Sequence, residues 1–107
     1  MERYLGIITD ECDLESYKES LRNFAARVNK KIDVILLTEV NIIEEFIKEN
    51  HEKYCRVIFY DYEEFNNIKQ LQNVFGLCQH YNLELSIIKQ DIHSDVAVEL
   101  SYLLQVI

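Results

Sequence analysis

Four short runs of apolar, β-branched and aromatic residues, at positions 3–8, 32–37, 56–60 and 83–88, alternate with four longer stretches of helical periodicity. Runs of that length read as strands, and apolar residues recurring every three or four positions read as amphipathic helices. Repeated strand-then-helix order predicts β-α units around a parallel sheet. The strand runs are nearly continuously apolar, which predicts burial on both faces under helices on either side. The expected architecture is a three-layer α/β sandwich with a mainly parallel sheet of at least four strands, the first and third adjacent at its centre.

The helical stretches carry their own punctuation. Asp13 stands where it can cap a helix whose apolar positions are Leu14, Tyr17, Leu21, Phe24 and Val28. Glu15 near its start and Arg27 and Lys30 near its end suit the helix dipole. Asn41 and Glu44 have the spacing of a capping box before Ile43, Phe46 and Ile47. A third stripe comprises Ile68, Leu71, Val74, Phe75 and Cys78, and a fourth, capped by Ser94, comprises Ala97, Leu100, Leu103, Leu104 and Ile107. The fourth stripe is expected to complete the core or to meet a partner.

Composition narrows the class. The 107 residues are 49% hydrophobic and 28% charged, which suits one domain over residues 1–107 with a real core. No apolar run approaches the length of a membrane span, and the first residues lack a basic stretch followed by an apolar leader, so a cytoplasmic protein is expected. Three scattered cysteines, Cys12, Cys55 and Cys78, fit neither a disulfide framework nor the paired spacing of a zinc site. They read as reduced packing residues. Nineteen acidic against eleven basic residues give a net charge of −8, which repels nucleic-acid phosphates. Lys30-Lys31 is the one adjacent basic pair, and with only Gly6 and Gly76 there is no glycine-rich phosphate loop. Direct nucleic-acid binding and membrane association are therefore not expected, and no cofactor or metal is implied.

The chemistry-bearing residues gather at predicted strand ends: Asp10 and Glu11 after the first strand, and Asp61, Tyr62 and Glu63 after the third. Gly6, inside the first strand, removes a side chain where a helix or loop can approach the backbone. Tyr60 and Tyr62 flank Asp61, and tyrosine is enriched at interfaces. His93 beside Ser94, and Cys78 two residues before His80, have the wrong spacing to share a helical face, which argues against hydrolysis through a Ser-His or Cys-His pair.

The opening Tyr4-Leu5-Gly6-Ile7-Ile8-Thr9-Asp10-Glu11-Cys12 resembles the start of a serine recombinase (resolvase/invertase) catalytic domain, which reads approximately Tyr-Ala-Arg-Val-Ser-Thr-Asp-Glu-Gln. A looser likeness runs over nearly the whole chain. The stretch from Val57 to Ile68 lies where that family reads Val-Val-Tyr-Arg-Leu-Asp-Arg-Leu-Ser-Arg-Asn-Leu, and Ala97-Val98-Glu99-Leu100 stands in place of Ala-Gly-Arg-Leu. The resemblance implies a resolvase-like fold and, in active members, a serine that joins covalently to DNA amid arginines that neutralise the transition state. Here Ile8 falls on the serine, and Gly6, Tyr60 or Asp61, Glu63, Asn66 and Glu99 fall on the arginine positions. An isoleucine cannot attack a phosphodiester, and carboxylates in the cleft would repel a phosphate anion. The family's longer final helix and DNA-binding region are not contained in the residues through Ile107.

The resemblance therefore implies a degenerate member: no enzyme, but a protein-interaction or regulatory module of a mobile element or prophage. Its partner is expected to be a second copy, as a homodimer, or another protein such as a recombinase or DNA-bound regulator. Asp10, Glu11, Asp61, Tyr62 and Glu63 are the candidate cleft contacts, and Leu103, Leu104 and Ile107 the candidate interface. The alternative is a receiver-like phosphoacceptor, in which the acidic groups at the strand ends bind Mg²⁺, Asp61 accepts phosphate and Lys89 neutralises the product.

Overall fold

A computed structural model describes residues 3–65 and 67–94. Five strands, β1 (Arg3–Ile8), β2 (Lys31–Leu36), β3 (Arg56–Phe59), β4 (Glu84–Ile87) and β5 (Ile92–His93), form one sheet in the order β2-β1-β3-β4-β5. The first four are parallel and β5 runs antiparallel on the edge. As expected, β1 and β3 are neighbours; the connection through β2 reverses direction between them, which makes their carboxyl ends the topological switch point of the sheet.

Three helices, α1 (Leu14–Arg27), α2 (Val40–Asn50) and α3 (Ile68–His80), cover the sheet. Strand alternation divides the core between its faces. Tyr4, Ile8 and Ile58 point to one side, where Leu21 and Ala25 of α1 pack on them. Leu5, Ile7, Val57, Phe59, Leu85 and Ile87 point to the other, against Ile43 and Ile47 of α2 and Leu71, Val74 and Cys78 of α3. Gly6 lies on the α1 side: a Cβ there would stand 3.0 Å from Leu21 Cδ1 and 3.1 Å from Ile32 Cδ1. The missing side chain lets α1 settle onto β1.

Two helices stop for the same reason. At the end of α1, Asn29 takes the left-handed conformation (φ 58°), with Asn29 N–H bonded to Ala26 O and Lys30 N–H to Ala25 O. At the end of α3, Asn82 (φ 59°) repeats this, with Leu83 N–H bonded to Cys78 O at 2.8 Å. Both are Schellman closures, and asparagine is among the few residues that adopt the required φ cheaply. Leu83 is thereby turned into the core beside Cys78.

Several expectations need correction. Strand β2 is only partly buried, because as an edge strand it lacks a neighbour on one side. Val28 is not on the apolar stripe; it is the last residue before the Schellman turn and is 48% exposed. Asn41 and Glu44 form no capping box, since α2 already begins at Val40 after Glu39, without a side-chain cap. Asp13 does precede α1 but makes no capping hydrogen bond; Asp10 instead caps a 3₁₀ turn over Glu11–Asp13 by accepting from Cys12 N–H. Ser94 follows β5, where its hydroxyl accepts from Leu85 N–H and donates to Glu84. The expected helix over residues 94–107, with Leu103, Leu104 and Ile107, lies otherwise outside the described residues, as do Asn66 and Glu99.

Candidate functional site: an acidic crevice at the switch point

Beyond the pair Gly6↔Ile58, β1 and β3 no longer pair. The strands diverge there, and a crevice of about 820 Å³ opens between their carboxyl ends. Its lining includes Thr9, Asp10, Glu11, Tyr17, Asp61, Glu63 and Glu64. Asp10, Glu11 and Glu63 stand exposed at its mouth, so the expected gathering of acidic residues is real. Tyr62 is the exception. Its side chain packs against the α2/α3 core and borders a separate apolar hollow with Phe65, Ile68 and Leu71, because the 3₁₀ turn after β3 breaks the strand alternation that would set Tyr62 on the same face as Tyr60. Tyr60 points the other way and stacks on Tyr17 of α1 at 4.3 Å.

Glu64 organises the crevice. Its Oε1 accepts from Thr9 N–H at 3.0 Å and from the Thr9 hydroxyl at 3.3 Å; its Oε2 accepts from Tyr60 N–H and Asp61 N–H, each at 3.1 Å. Burial raises its pKa above the ordinary glutamate value, although these hydrogen bonds favour the charged form. Asp61 and Glu64 make the reciprocal cap of a short 3₁₀ turn, Tyr62–Glu64. Asp61-x-x-Glu64 carries the spacing of a capping box, a signal present in the sequence. Glu64 is not among the site residues expected from the sequence.

Asp61 is 4% exposed and fully engaged. Its Oδ1 accepts from Glu63 N–H at 3.0 Å and from Gln90 Nε2 at 2.9 Å, and its Oδ2 from Lys89 Nζ at 3.2 Å. Burial opposes its charge, but these hydrogen bonds and the ammonium together hold its pKa below the ordinary aspartate value. Lys89, in turn, is raised by its bond to Asp61.

A Ser-His-Asp constellation lies elsewhere. The Ser86 hydroxyl is 2.8 Å from His93 Nδ1, and His93 Nε2 is 2.9 Å from Asp91 Oδ1. In the neutral ring that donates Nε2–H to Asp91, Nδ1 accepts the serine proton. In the sequence the serine nearest His93 is Ser94, whose spacing argues against a pair; β4–β5 pairing instead sets His93 opposite Ser86. The group is not a nucleophilic site. Ser86 is wholly buried, and its oxygen accepts from Arg56 Nη1 at 2.7 Å, which depletes its nucleophilicity and pins β3, β4 and β5 together.

Ile8, the residue on the resembled serine position, is 0% exposed and packs with Tyr4, Leu21, Ala25 and Ile58 on the α1 face. The neighbouring Thr9 hydroxyl is held by Glu64. Of the three cysteines, Cys12 is exposed at the crevice, Cys55 is half-buried and Cys78 is in the core, where burial pushes its pKa up to about 12. No helix among the described residues is long and apolar enough to cross a membrane.

No protein-family model matches the chain, and no curated protein matches it significantly. Among solved structures, it is similar to a resolvase family site-specific recombinase from Streptococcus pneumoniae, with a TM-score of 0.71 and 16% sequence identity. The match covers 97% of this chain and 83% of that one. Identity that low carries the architecture and not the activity, and the chain has a resolvase-like α/β fold.

Proposed function

We propose that this chain is a catalytically inactive domain on the serine-recombinase scaffold that works through protein contacts, as a regulatory module of a mobile element or prophage. The observation that carries this reading is Ile8: the position resembling the nucleophile holds a side chain with no chemistry, sealed beneath α1. The crevice supports it, because Asp10, Glu11 and Glu63 present negative charge where a phosphodiester would need cations. The mobile-element setting comes from the resemblance alone.

An acidic crevice mouth suits a basic protein surface, either on another protein or on a second copy. The test is recovery of a tagged protein from its native host after nuclease treatment, beside a Glu11→Lys, Glu63→Lys variant, with the mass of the purified protein measured by light scattering. A single partner, or a dimer, that the wild type holds and the variant loses supports the reading. A monomer that retains nothing in either form contradicts it.

A receiver-like phosphoacceptor has one observation in its favour, the Asp61–Lys89 contact at the end of β3. Against it, three donors already occupy both Asp61 oxygens, and among the described residues no three His, Cys, Asp or Glu side chains are grouped to hold a metal ion. Acetyl phosphate with Mg²⁺ separates the readings: a phosphoryl adduct on Asp61, lost in Asp61→Asn, favours the second.

A further inference from the structure

We propose that the crevice contains a carboxylate-binding site, formed by the backbone N–H groups of Thr9, Tyr60 and Asp61 and the Thr9 hydroxyl, which the chain keeps filled with its own Glu64. The site arises from the topology. Once β1 and β3 separate after Gly6↔Ile58, the N–H groups of Thr9 and Tyr60 have no ladder partner between the strands and point into the gap. Buried backbone donors must be satisfied, and here a carboxylate satisfies them. Three N–H groups meet the two oxygens, joined by the Thr9 hydroxyl, whose single proton is shared between Glu64 Oε1 at 3.3 Å and the Glu64 carbonyl oxygen at 3.2 Å. The arrangement exceeds a local turn. Only the Asp61 contact belongs to the reciprocal cap, whereas Thr9 lies 55 residues away in sequence, just past the end of β1.

Surrounding charge selects the ligand class. Asp10, Glu11 and Glu63 line the same crevice and oppose any anion, a doubly charged phosphate about twice as strongly as a singly charged carboxylate, so only a ligand that repeats the Glu64 hydrogen bonds is held. Lys89 does not offset this, because it is paired with Asp61. A monocarboxylate, free or on a peptide, enters when Glu64 swings out, so Glu64 acts as a built-in competitor. The inference does not depend on the functional reading, which rests on Ile8, and either stands if the other fails.

The test is Glu64→Ala in the full chain, followed by thermal unfolding at neutral pH in sodium formate, with sodium chloride and inorganic phosphate at matched ionic strength. The variant is expected to lose about 10 °C in its unfolding midpoint through its unsatisfied donors. Formate should restore at least half of that loss saturably, leave the wild type unchanged and outperform both other salts. Rescue no better than chloride, or equal rescue by phosphate, would overturn the proposal. Should the variant not fold, the wild type decides by amide NMR across a pH titration. The Thr9, Tyr60 and Asp61 amides are expected to shift together at a single midpoint with the Glu64 carboxyl, and independent shifts would overturn the proposal.

Discussion

Restoring the resembled nucleophile by Ile8→Ser should unbalance the domain without making it an enzyme. Ile8 has no exposed surface, and its side chain fills the space between Tyr4, Ile58 and the α1 residues Leu21 and Ala25. Truncating a buried isoleucine to alanine costs about 3.5 kcal/mol, the middle of the observed range, because the site collapses only partly. A serine adds a hydroxyl facing apolar neighbours, at roughly 1–2 kcal/mol more. The total of about 5 kcal/mol compares with a global stability on the order of 5–15 kcal/mol for a domain of this size. With a urea slope of roughly 1.5 kcal/mol per molar, the midpoint should fall by about 3 M, or the variant should be largely unfolded at the outset. Ile8→Val, losing one methylene, serves as the control and should cost about 1 kcal/mol. Equilibrium urea unfolding followed by circular dichroism reads both. A loss under about 1 kcal/mol for Ile8→Ser would refute the reasoning, since it would mean that position 8 opens onto the crevice and not into the core.

Gly6→Ala should cost about 1 kcal/mol net, because the new methyl crowds the ends of Leu21 and Ile32 while the backbone loses some unfolded-state freedom; an unchanged urea midpoint would contradict this packing of α1 on β1. In the native protein, iodoacetamide should label Cys12 first and Cys78 only on unfolding, since burial holds the Cys78 thiol up to about 12; early labelling of Cys78, read by peptide mass spectrometry, would contradict its placement. The raised Glu64 carboxyl means that the folded state binds its proton more tightly than the unfolded chain. The proton-linked part of its contribution is therefore present below the ordinary value of 4.5 and is lost as pH rises through the folded value, while the hydrogen bonds it accepts remain at neutral pH. Urea stability of the wild type relative to Glu64→Gln should accordingly increase as pH is lowered from about 7 towards 4.5, and a gap that stays constant or shrinks would refute the shift. Asp61, with a lowered pKa, acts in the opposite sense, its contribution being lost only as pH falls below 3.8.

The strands were legible because each is a compact apolar run, and the core faces of α1 and α3 because Leu21, Leu71, Val74 and Cys78 keep the helical period. What escaped depends on distance in sequence. Strand β5 is two residues long and exists because Asp91 adopts φ 53° and returns Ile92 and His93 along β4. Val28 continues the apolar period, yet the helix has stopped; Asn29 was the available signal. At the site, Asp10, Glu11, Asp61 and Glu63 were found by their position after strands, whereas Tyr62 was misplaced because side-chain direction through a 3₁₀ turn is not read from alternation. Glu64 escaped because its importance comes from Thr9, the residue after β1, which meets the end of β3 only in the folded sheet.

The central claim, a recombinase scaffold without its chemistry, is tested most directly by incubating the wild-type protein with supercoiled plasmid and separating DNA-linked protein under denaturing conditions. The account predicts an intact plasmid and no covalent protein–DNA species at any protein concentration. Nicked plasmid carrying covalently attached protein, with mass spectrometry locating the linkage to Thr9 or Cys12 at the crevice, would contradict it.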